Sequence, residues 1–580
     1  MADLEPTGQL RVPFRGERDA TGQLTYGQRD TYAWVTTGAD DISALLFWRV
    51  RLPDGVSTGD ITAALRVLVS RHESLRTNYL HGPLQLISGS GELFVDMYQI
   101  PPGLRDEPVA AIEDLLVAQM RTKGIDLAID LPIRVAVATV DDEPVAAAFL
   151  CSHLAADLAS MAVLGTEFGE LLAMSMVGIP LPAVTGPTAE PHRWQPLDQA
   201  EFEQTPASLR RNTSTIKYWA EHLRRSPGAM FPMPEPDEPI GEHLSGFLQT
   251  TAGGRALTKI VDRVGTGRQM VLLAAVCTVM SVRTGIRHCV FALMSGNRFR
   301  QRLHGYVGAL AQDSLLAFDI EGDDFDEIVR RVAVATLTAN TYSQYDIDEL
   351  LAVMDEIGHE RGIAFNRDFS FNNVSDFMAL EVGDTEVPDD TPTSIMWQPW
   401  QYFPEMLMCH PVSFGSQLVV ALTANQRHVD KAELELLLNG VERLLVAAAE
   451  DVVPLEKLAE IIEIEPLQRD ADWVCVDSCW ARLSLVRELV LDAVDVPAAC
   501  VVMGEHGLTA YLPAAVDNVE AAHALCMAEL PDRYCTMAPR HYVLCEGTPD
   551  DPADVTAWQA LPVIAEGDGR VRASLLPEAT

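Results

Sequence analysis

Basic residues are scarce in this sequence: 43 Lys and Arg stand against 83 Asp and Glu in 580 residues, a formal net charge of -40. General binding to a nucleic-acid backbone is not expected, because that binding needs clustered cations to neutralise phosphates. An apolar stretch long enough for a bilayer is missing as well. The longest apolar run, Val271 to Val282, falls short of the roughly 20 residues a membrane helix requires and reads as a buried core helix. The N-terminal MADLEPTGQLRVPFRGERDA has no apolar segment of the secretory kind, so cytoplasm is the expected location. Paired CxxC spacing is also lacking. The ten cysteines scatter from Cys151 to Cys545, and the closest pair, Cys475 and Cys479, has no second pair beside it. Reduced thiols are the expectation, with neither a disulfide framework nor a metal site. Internal repeats and low-complexity tracts are absent.

What is present is an ordinary globular composition, 48% apolar and 22% charged, in a chain too long for one core; at about 100 to 200 residues per domain, two to four units are expected. Two proline-rich stretches, Gly178 to Pro196 and Ser226 to Pro239, resist helices and central strands. The first marks a boundary between a unit at 1–185 and a second at 186–455. Between the stretches, Ile216 to Leu223 predicts a short helix. Lys431 to Val453 carries apolar residues at three- and four-residue intervals and predicts a long amphipathic helix closing the second unit, with Pro454 after it. A third unit, 466–580, alternates strand-like and helix-like runs.

The most informative segment lies between Leu131 and Met176. Ile133 to Val140 and Val145 to Cys151 are strand-like runs joined by the turn-prone Asp141, Asp142, Glu143 and Pro144, which predicts a hairpin. Ser152 to Leu158 (SHLAADL) follows, then a helical stripe of Leu158, Met161, Ala162, Phe168, Leu171 and Leu172. His153 therefore stands where a buried strand ends and a helix is about to start. There one ring nitrogen can be oriented by a neighbour while the other faces a substrate, as a general base requires. Asp157, at the start of the helix, equally fits an N-terminal cap or a buried ion pair.

SHLAADL occupies the place of the HHxxxDG motif and resembles it, and further motifs follow the same order as in condensation domains of nonribosomal peptide synthetases. Leu24 to Tyr32 (LTYGQRDTY) resembles that family's first motif, and Arg71 to Tyr79 (RHESLRTNY) its RHExLRTxF. Tyr306 to Ser314 (YVGALAQDS) resembles VGxFVNT, Gln344 to Leu350 stands where HQDYPFE is expected, and Asp368 to Asn373 (DFSFNN) resembles the last motif. Together they cover about residues 20 to 450.

The resemblance implies an α/β fold of two chloramphenicol-acetyltransferase-like lobes forming a V, with His153 in a tunnel between them and a small C-terminal α+β domain beyond. It implies an acyltransferase that joins a carrier-tethered acyl thioester to an amine or hydroxyl acceptor, making an amide or an ester. The partners are a peptidyl or acyl carrier protein and an amine or alcohol, free or carrier-bound. No cofactor is bound by the chain itself; 4'-phosphopantetheine is presented by the carrier. His153 would take or position the nucleophile's proton, and Asp157 would be structural, paired with Arg76 first or Arg134 second. Tyr306, Gly308, Gln312, Ser370 and Asn372 would line the substrate channel. Two departures fall inside the motif: Ser152 replaces the first histidine and Leu158 the glycine, where a branched side chain would narrow the tunnel. Gln312 and Asp313 stand where Asn and Thr are usual. These changes keep a second reading open, a catalytically silent homologue that recruits another enzyme. A third keeps the enzyme and replaces one carrier by a free acceptor.

From Val474 the sequence follows the cadence of the small C-terminal subdomain of adenylating enzymes. Gly507 to Pro513, Leu530 to Pro539 and Gly569 to Pro577 resemble its later strand, its LPxYMxP turn and its GKVDRxxLP ending. Arg570 then takes the place of the expected lysine, and no large adenylation subdomain precedes it, so the segment is a remnant kept for packing or docking. An unrelated small α/β domain is the alternative. Two local features remain. Gly296 to Arg302 (GNRFRQR) places three arginines within five residues, either to meet a phosphopantetheine phosphate or an acidic carrier or as a solvated turn. Trp397, Trp400, Tyr402 and Phe403 line a channel or belong to the core.

Overall fold

The computed structural model describes residues 4–37, 44–80, 82, 84–185, 193–230, 243–365, 368–382, 387–400, 406–531 and 533–570. In chain order the first lobe contains β1 (Glu5–Arg15), β2 (Ala20–Gln23), α1 (Tyr26–Thr37), β3 (Leu45–Val50), α2 (Thr58–Arg71), β4 (Thr77–Leu80), β5 (Leu84–Ile87), β6 (Ser90–Gln99), α3 (Val109–Arg121), β7 (Ile133–Val140), β8 (Glu143–Ser152) and α4 (Leu158–Met176). Its main sheet runs β1-β6-β7-β8-β3, with a small sheet β2-β5-β4 beside it. Within the main sheet β6 and β7 pair in parallel, and the other described neighbours pair antiparallel. Helix α3 covers one face, where Leu116 and Met120 meet Ala136 and Ala148; α2 and α4 cover the other.

The β7–β8 hairpin forms where the sequence predicts it, for a local reason. Asp141 and Asp142 take φ of 50° and 69°, the double left-handed turn whose twist matches that of the strands. Pro144 sits at the register shift between Ala138 and Thr139, where a residue without an N–H costs the ladder least.

The second lobe follows with α5 (Pro196–Glu203), α6 (Pro206–Leu223), β9 (His243–Thr250), α7 (Thr251–Val264), α8 (Arg268–Thr284), β10 (His288–Ser295), β11 (Gln312–Asp319), α9 (Phe325–Thr341), α10 (Ile347–Arg361), β12 (Phe369–Phe371), α11 (Ser375–Val382), β13 (Ser394–Trp400), β14 (Leu407–Phe414), β15 (Leu418–Asn425) and α12 (Lys431–Glu450). Its sheet order is β11-β10-β12-β14-β15-β9-β13. The apolar run Val271 to Val282 lies inside α8, nearly all of it buried, and among the described residues no single helix is long and apolar enough to cross a membrane. Helix α12 ends at Glu450, three residues before the predicted end. The short helix predicted at Ile216 to Leu223 is the last part of the 18-residue α6, whose polar first half is capped by Thr205 with Pro206 at its first position.

After α12 come α13 (Leu458–Ile462) and then a third unit of β16 (Trp473–Val476), β17 (Cys479–Arg482), α14 (Leu483–Val494), β18 (Cys500–Gly504), β19 (Gly507–Pro513), α15 (Val519–Glu529), β20 (His541–Cys545), α16 (Val555–Gln559) and β21 (Val563–Asp568). Helix α13 belongs with the second lobe, because Ile462 and Ile464 pack in that lobe's core. From β16 onward the unit has its own core around Val486, Leu489, Leu508, Ala510 and Tyr542. That core takes in Ile363, from the turn after α10. Arg361 fastens the joint by donating to Leu223 O (2.6 Å) and Asp477 O (2.7 Å), and Ala538 N–H donates to Gly362 O (2.8 Å).

Candidate active site

Strand β8 is buried from Ala146 to Ser152, and its ladder with β3 ends at the pair Leu45 and Ser152. The backbone tie continues one residue further: His153 N–H donates to Ala44 O at 2.8 Å. Ser152, itself buried, turns the chain. Its carbonyl accepts from Ala155 and Ala156, and its hydroxyl from Leu154 N–H at 3.3 Å. His153 is thus held by its main chain at the rim of a rigid sheet, with a partly exposed side chain and the Trp34 ring edge-on at 5.4 Å.

Asp157 performs both of the roles open to it. As N-cap of α4 its Oδ1 accepts from Ser160 N–H (2.9 Å) and lies 2.8 Å from the Ser160 hydroxyl. It is also paired, but with Arg298 and not with Arg76 or Arg134. The Arg298 guanidinium donates to Oδ2 at 2.8 Å and to Oδ1 at 2.7 Å, and Leu310 and Ala311 N–H each reach Oδ2 at 3.1 Å. Burial by itself would raise this carboxyl's pKa. The charge of Arg298 and the converging hydrogen bonds outweigh it, leaving the group below the usual aspartate value.

Arg76 is excluded from that partnership because it is consumed elsewhere. Fully buried beside Gly16, it donates to Arg18 O (3.0 Å) and Ser88 O (2.6 Å). Around it the RHESLR segment forms a structural hub, with Arg18 forked onto Glu73 and His72 bonded to Glu167. Arg134 donates to Gly124 O and Asp130 at the far end of β7. Arg298 lies 141 residues from Asp157 in sequence, and no local spacing foretells the pair. Of the three arginines in GNRFRQR it is the first that meets an anion, and the anion is internal.

The Asp157–Arg298 pair also joins the lobes. Gly308 N–H donates to the Ser160 hydroxyl (3.0 Å), and Arg298 reaches Gly308 O (3.2 Å). A side chain at 308 could not be accommodated, since a Cβ there would lie 2.8 Å from the Tyr306 ring. Val307 packs into the core of the first lobe, and Gly27 of α1 comes so close that a Cβ would meet Ala309 O at 2.6 Å. Tyr306 is buried beneath Arg298, 5.8 Å from guanidinium to ring. Among the described residues its hydroxyl has no hydrogen-bond partner, and burial drives its pKa far up.

The other predicted channel residues are spread over the second lobe's sheet. Gln312, buried at the start of β11, donates to Tyr345 O at 3.1 Å and stands 3.5 Å from Asp30 of α1. Ser370, on the interior strand β12, is 1% exposed with a hydroxyl that meets no partner among the described residues. Asn372 follows β12 and ties its N–H to Cys409 O. Leu158 is the first residue of α4 with no left-handed backbone, so no glycine is needed there for conformation. Tyr402 and Phe403 fall outside the described residues, as does the side chain of Trp400; Trp397 packs against the core of the second lobe. Arg570 lies on the third unit's joint to α10, donating to Glu360 O at 3.3 Å.

One residue beyond the reach of sequence reasoning is Glu203, the last residue of α5. It is buried, accepts from Tyr26 N–H (2.7 Å) and Gln199 Nε2 (2.8 Å), and burial pushes its pKa up to about 7 despite those bonds. Nothing in EFEQTP signals a buried carboxyl.

The family profile described as Condensation domain matches residues 49–450, well over half of the chain. The chain belongs to the condensation-domain family. Among known proteins this condensation domain is similar to a linear gramicidin synthase of Brevibacillus parabrevis, 24% identical over 482 residues; the match spans 80% of this chain but 9% of that protein's length. Among solved structures it resembles the X-domain in its complex with OxyB from teicoplanin biosynthesis (TM-score 0.56, 19% identity, 78% of this chain and 98% of that one). It also resembles the starter condensation domain of rhizomide synthetase RzmA in complex with C8-CoA (TM-score 0.58, 15% identity, 75% and 97%). Those likenesses establish the two-lobed α/β fold. The third unit lies beyond the residues the profile matches, so its resemblance to an adenylation subdomain rests on sequence motifs alone. Condensation domains are acyltransferases of nonribosomal peptide and related natural-product synthesis, acting on phosphopantetheine-tethered substrates that carrier proteins deliver.

Proposed function

We propose that this chain joins a carrier-tethered acyl thioester to an amine or hydroxyl acceptor, with His153 as the catalytic histidine. The acceptor nitrogen or oxygen attacks the thioester carbonyl as its proton passes to His153, the carbon–sulfur bond breaks, and His153 returns the proton to the departing carrier thiolate. The observation that carries this reading is the mounting of His153: backbone fixed to Ala44, side chain partly exposed, and Asp157 four residues on locked to the opposite lobe. A general base so held contributes about 10²- to 10⁴-fold, and alignment of the substrates supplies the rest. Tyr306, Gly308, Gln312, Ser370 and Asn372 are proposed to line the path of the substrates. The lobes are proposed as 1–185 and 186–455 and the appended domain as 466–580, its Arg570 a joint residue and not an adenylation lysine.

The test is product formation from acyl-loaded carrier and a panel of free or carrier-bound amines and alcohols. His153→Ala should lose about 10²- to 10⁴-fold in turnover while keeping its thermal midpoint. Equal product from both proteins would remove His153 from the chemistry. A second reading, a silent domain that recruits another enzyme, draws on Ser152 and Leu158 in the motif and on the structural neighbour solved in complex with OxyB. Tight carrier or protein binding without turnover under any acceptor would favour it.

A further inference from the structure

Cations are outnumbered here, 43 against 83 carboxylates, and many arginines hold a carboxylate, among them Arg18, Arg29, Arg263, Arg283 and Arg298. Three that lie close together do not. Among the described residues Arg211 on α6 and Arg300 and Arg302 in the loop before β11 make no ion pair and no side-chain hydrogen bond. They are close enough to one another that each of Arg211 and Arg302 has its pKa lowered, by burial first and then by the neighbouring guanidinium charge. In a chain with nearly two carboxylates for every cation, an unneutralised cluster costs free energy that any nearby Asp or Glu would relieve.

Arg302 is held in place, not loose. Its guanidinium lies 3.9 Å from the Phe202 ring centroid and 4.7 Å from that of Trp194, while Trp194 is itself fixed through Nε1 to Gln199. Cation–π contacts of this kind neutralise no charge and leave the guanidinium edge free to donate. The edge borders a cleft of about 270 Å³ lined by Arg193, Trp194, Arg302, His304 and Gly305. Glu167, a carboxylate at this margin, is already engaged by Arg193, Arg71 and His72, and its pKa falls to about 2 even though burial opposes the fall.

We propose that this cleft is a binding site for the phosphate group of a small phosphomonoester. Guanidinium forks match phosphate oxygens in pairs, and a dianion answers the surplus of positive charge that the protein leaves uncompensated. The volume suits a phosphate with a few attached atoms and excludes a protein helix. At a screening length of about 8 Å, the acidity of the rest of the chain does not cancel the attraction at contact.

The test is calorimetric titration of the full chain with inorganic phosphate, AMP and adenosine in about 0.15 M salt, with Trp194 fluorescence as a second signal. Expected is saturable binding of phosphate and AMP at one site and none of adenosine, reduced about tenfold or more in Arg302→Gln and Arg300→Gln. Arg540→Gln, whose arginine pairs with Asp568 in the third unit, should bind as the parent does. Arg300 stacks on no ring among the described residues, so its variant tests the site without disturbing the aromatic mount. The proposal fails if neither phosphate nor AMP saturates up to about 10 mM, if adenosine binds as well as AMP, or if both variants bind as the parent does. Acyl-transfer activity enters none of these readouts.

Discussion

Leu158 stands where the HHxxxDG motif has its glycine, yet it begins a helix with ordinary backbone angles. Leu158→Gly should therefore cost about 1 kcal/mol of stability, read by chemical denaturation, because glycine is a poor helix former; if the leucine narrows the approach to His153, turnover rises in the same variant. Asp157 is the opposite case. Removing it leaves Arg298 half of a buried pair, and Asp157→Ala should cost about 3 to 5 kcal/mol, much of it recovered in the Asp157→Ala, Arg298→Met double variant. Its pKa is depressed in the folded state, so its contribution is complete above the unfolded value of about 3.9 and is lost as pH falls through the folded one. Acid unfolding of Asp157→Asn should accordingly lack that component.

Glu203 works with the other sign. Its folded pKa of about 7 lies above the unfolded carboxyl value, so the folded state binds the extra proton between the two and stability declines as pH rises through that window. Glu203→Gln keeps an acceptor for Tyr26 N–H and carries no charge. The variant should gain thermal stability over the parent at about pH 8, by an amount on the order of 3 kcal/mol, and show little gain at about pH 4.

At the scale of elements, legibility follows the range of the deciding contact. The β7–β8 hairpin is readable because its turn is settled by Asp141 and Asp142 themselves, and α12 because one face repeats over twenty residues. Helix α6 runs longer than its pattern predicts. Its first half, PASLRRNTST, looks polar all round, and what holds it is a cap and packing against α10 across more than a hundred residues of sequence. Within the site, motif order locates His153 and Asp157 but points to Arg76, wrongly, as the partner of Asp157. Both arginines sit in conspicuous motifs, and only the fold decides that one is enclosed by backbone carbonyls and the other by a carboxylate. Glu203 has no pattern at all: a buried carboxyl in a helix looks like a solvated one until its surroundings are known.

For the whole molecule, the third unit is fastened by the turn after α10. Ile363 is 3% exposed within that unit's core, and Ile363→Ala should cost about 2 to 5 kcal/mol. A cut after Glu465, which spares Ile462 and Ile464, should lower the thermal midpoint of the remaining lobes by stripping that turn of its cover; an unchanged midpoint would make the third unit a passenger.

Val307 and Arg298 belong to one lobe by chain order but complete the other, the first by filling its interior and the second by neutralising its carboxylate. Recombination of this domain with a relative at the proline-rich connection would hand each parent's half an orphaned group. Chimeras that keep the first half and replace the second should thus carry the 296–311 loop along with the first half, and those that leave it behind are expected in inclusion bodies.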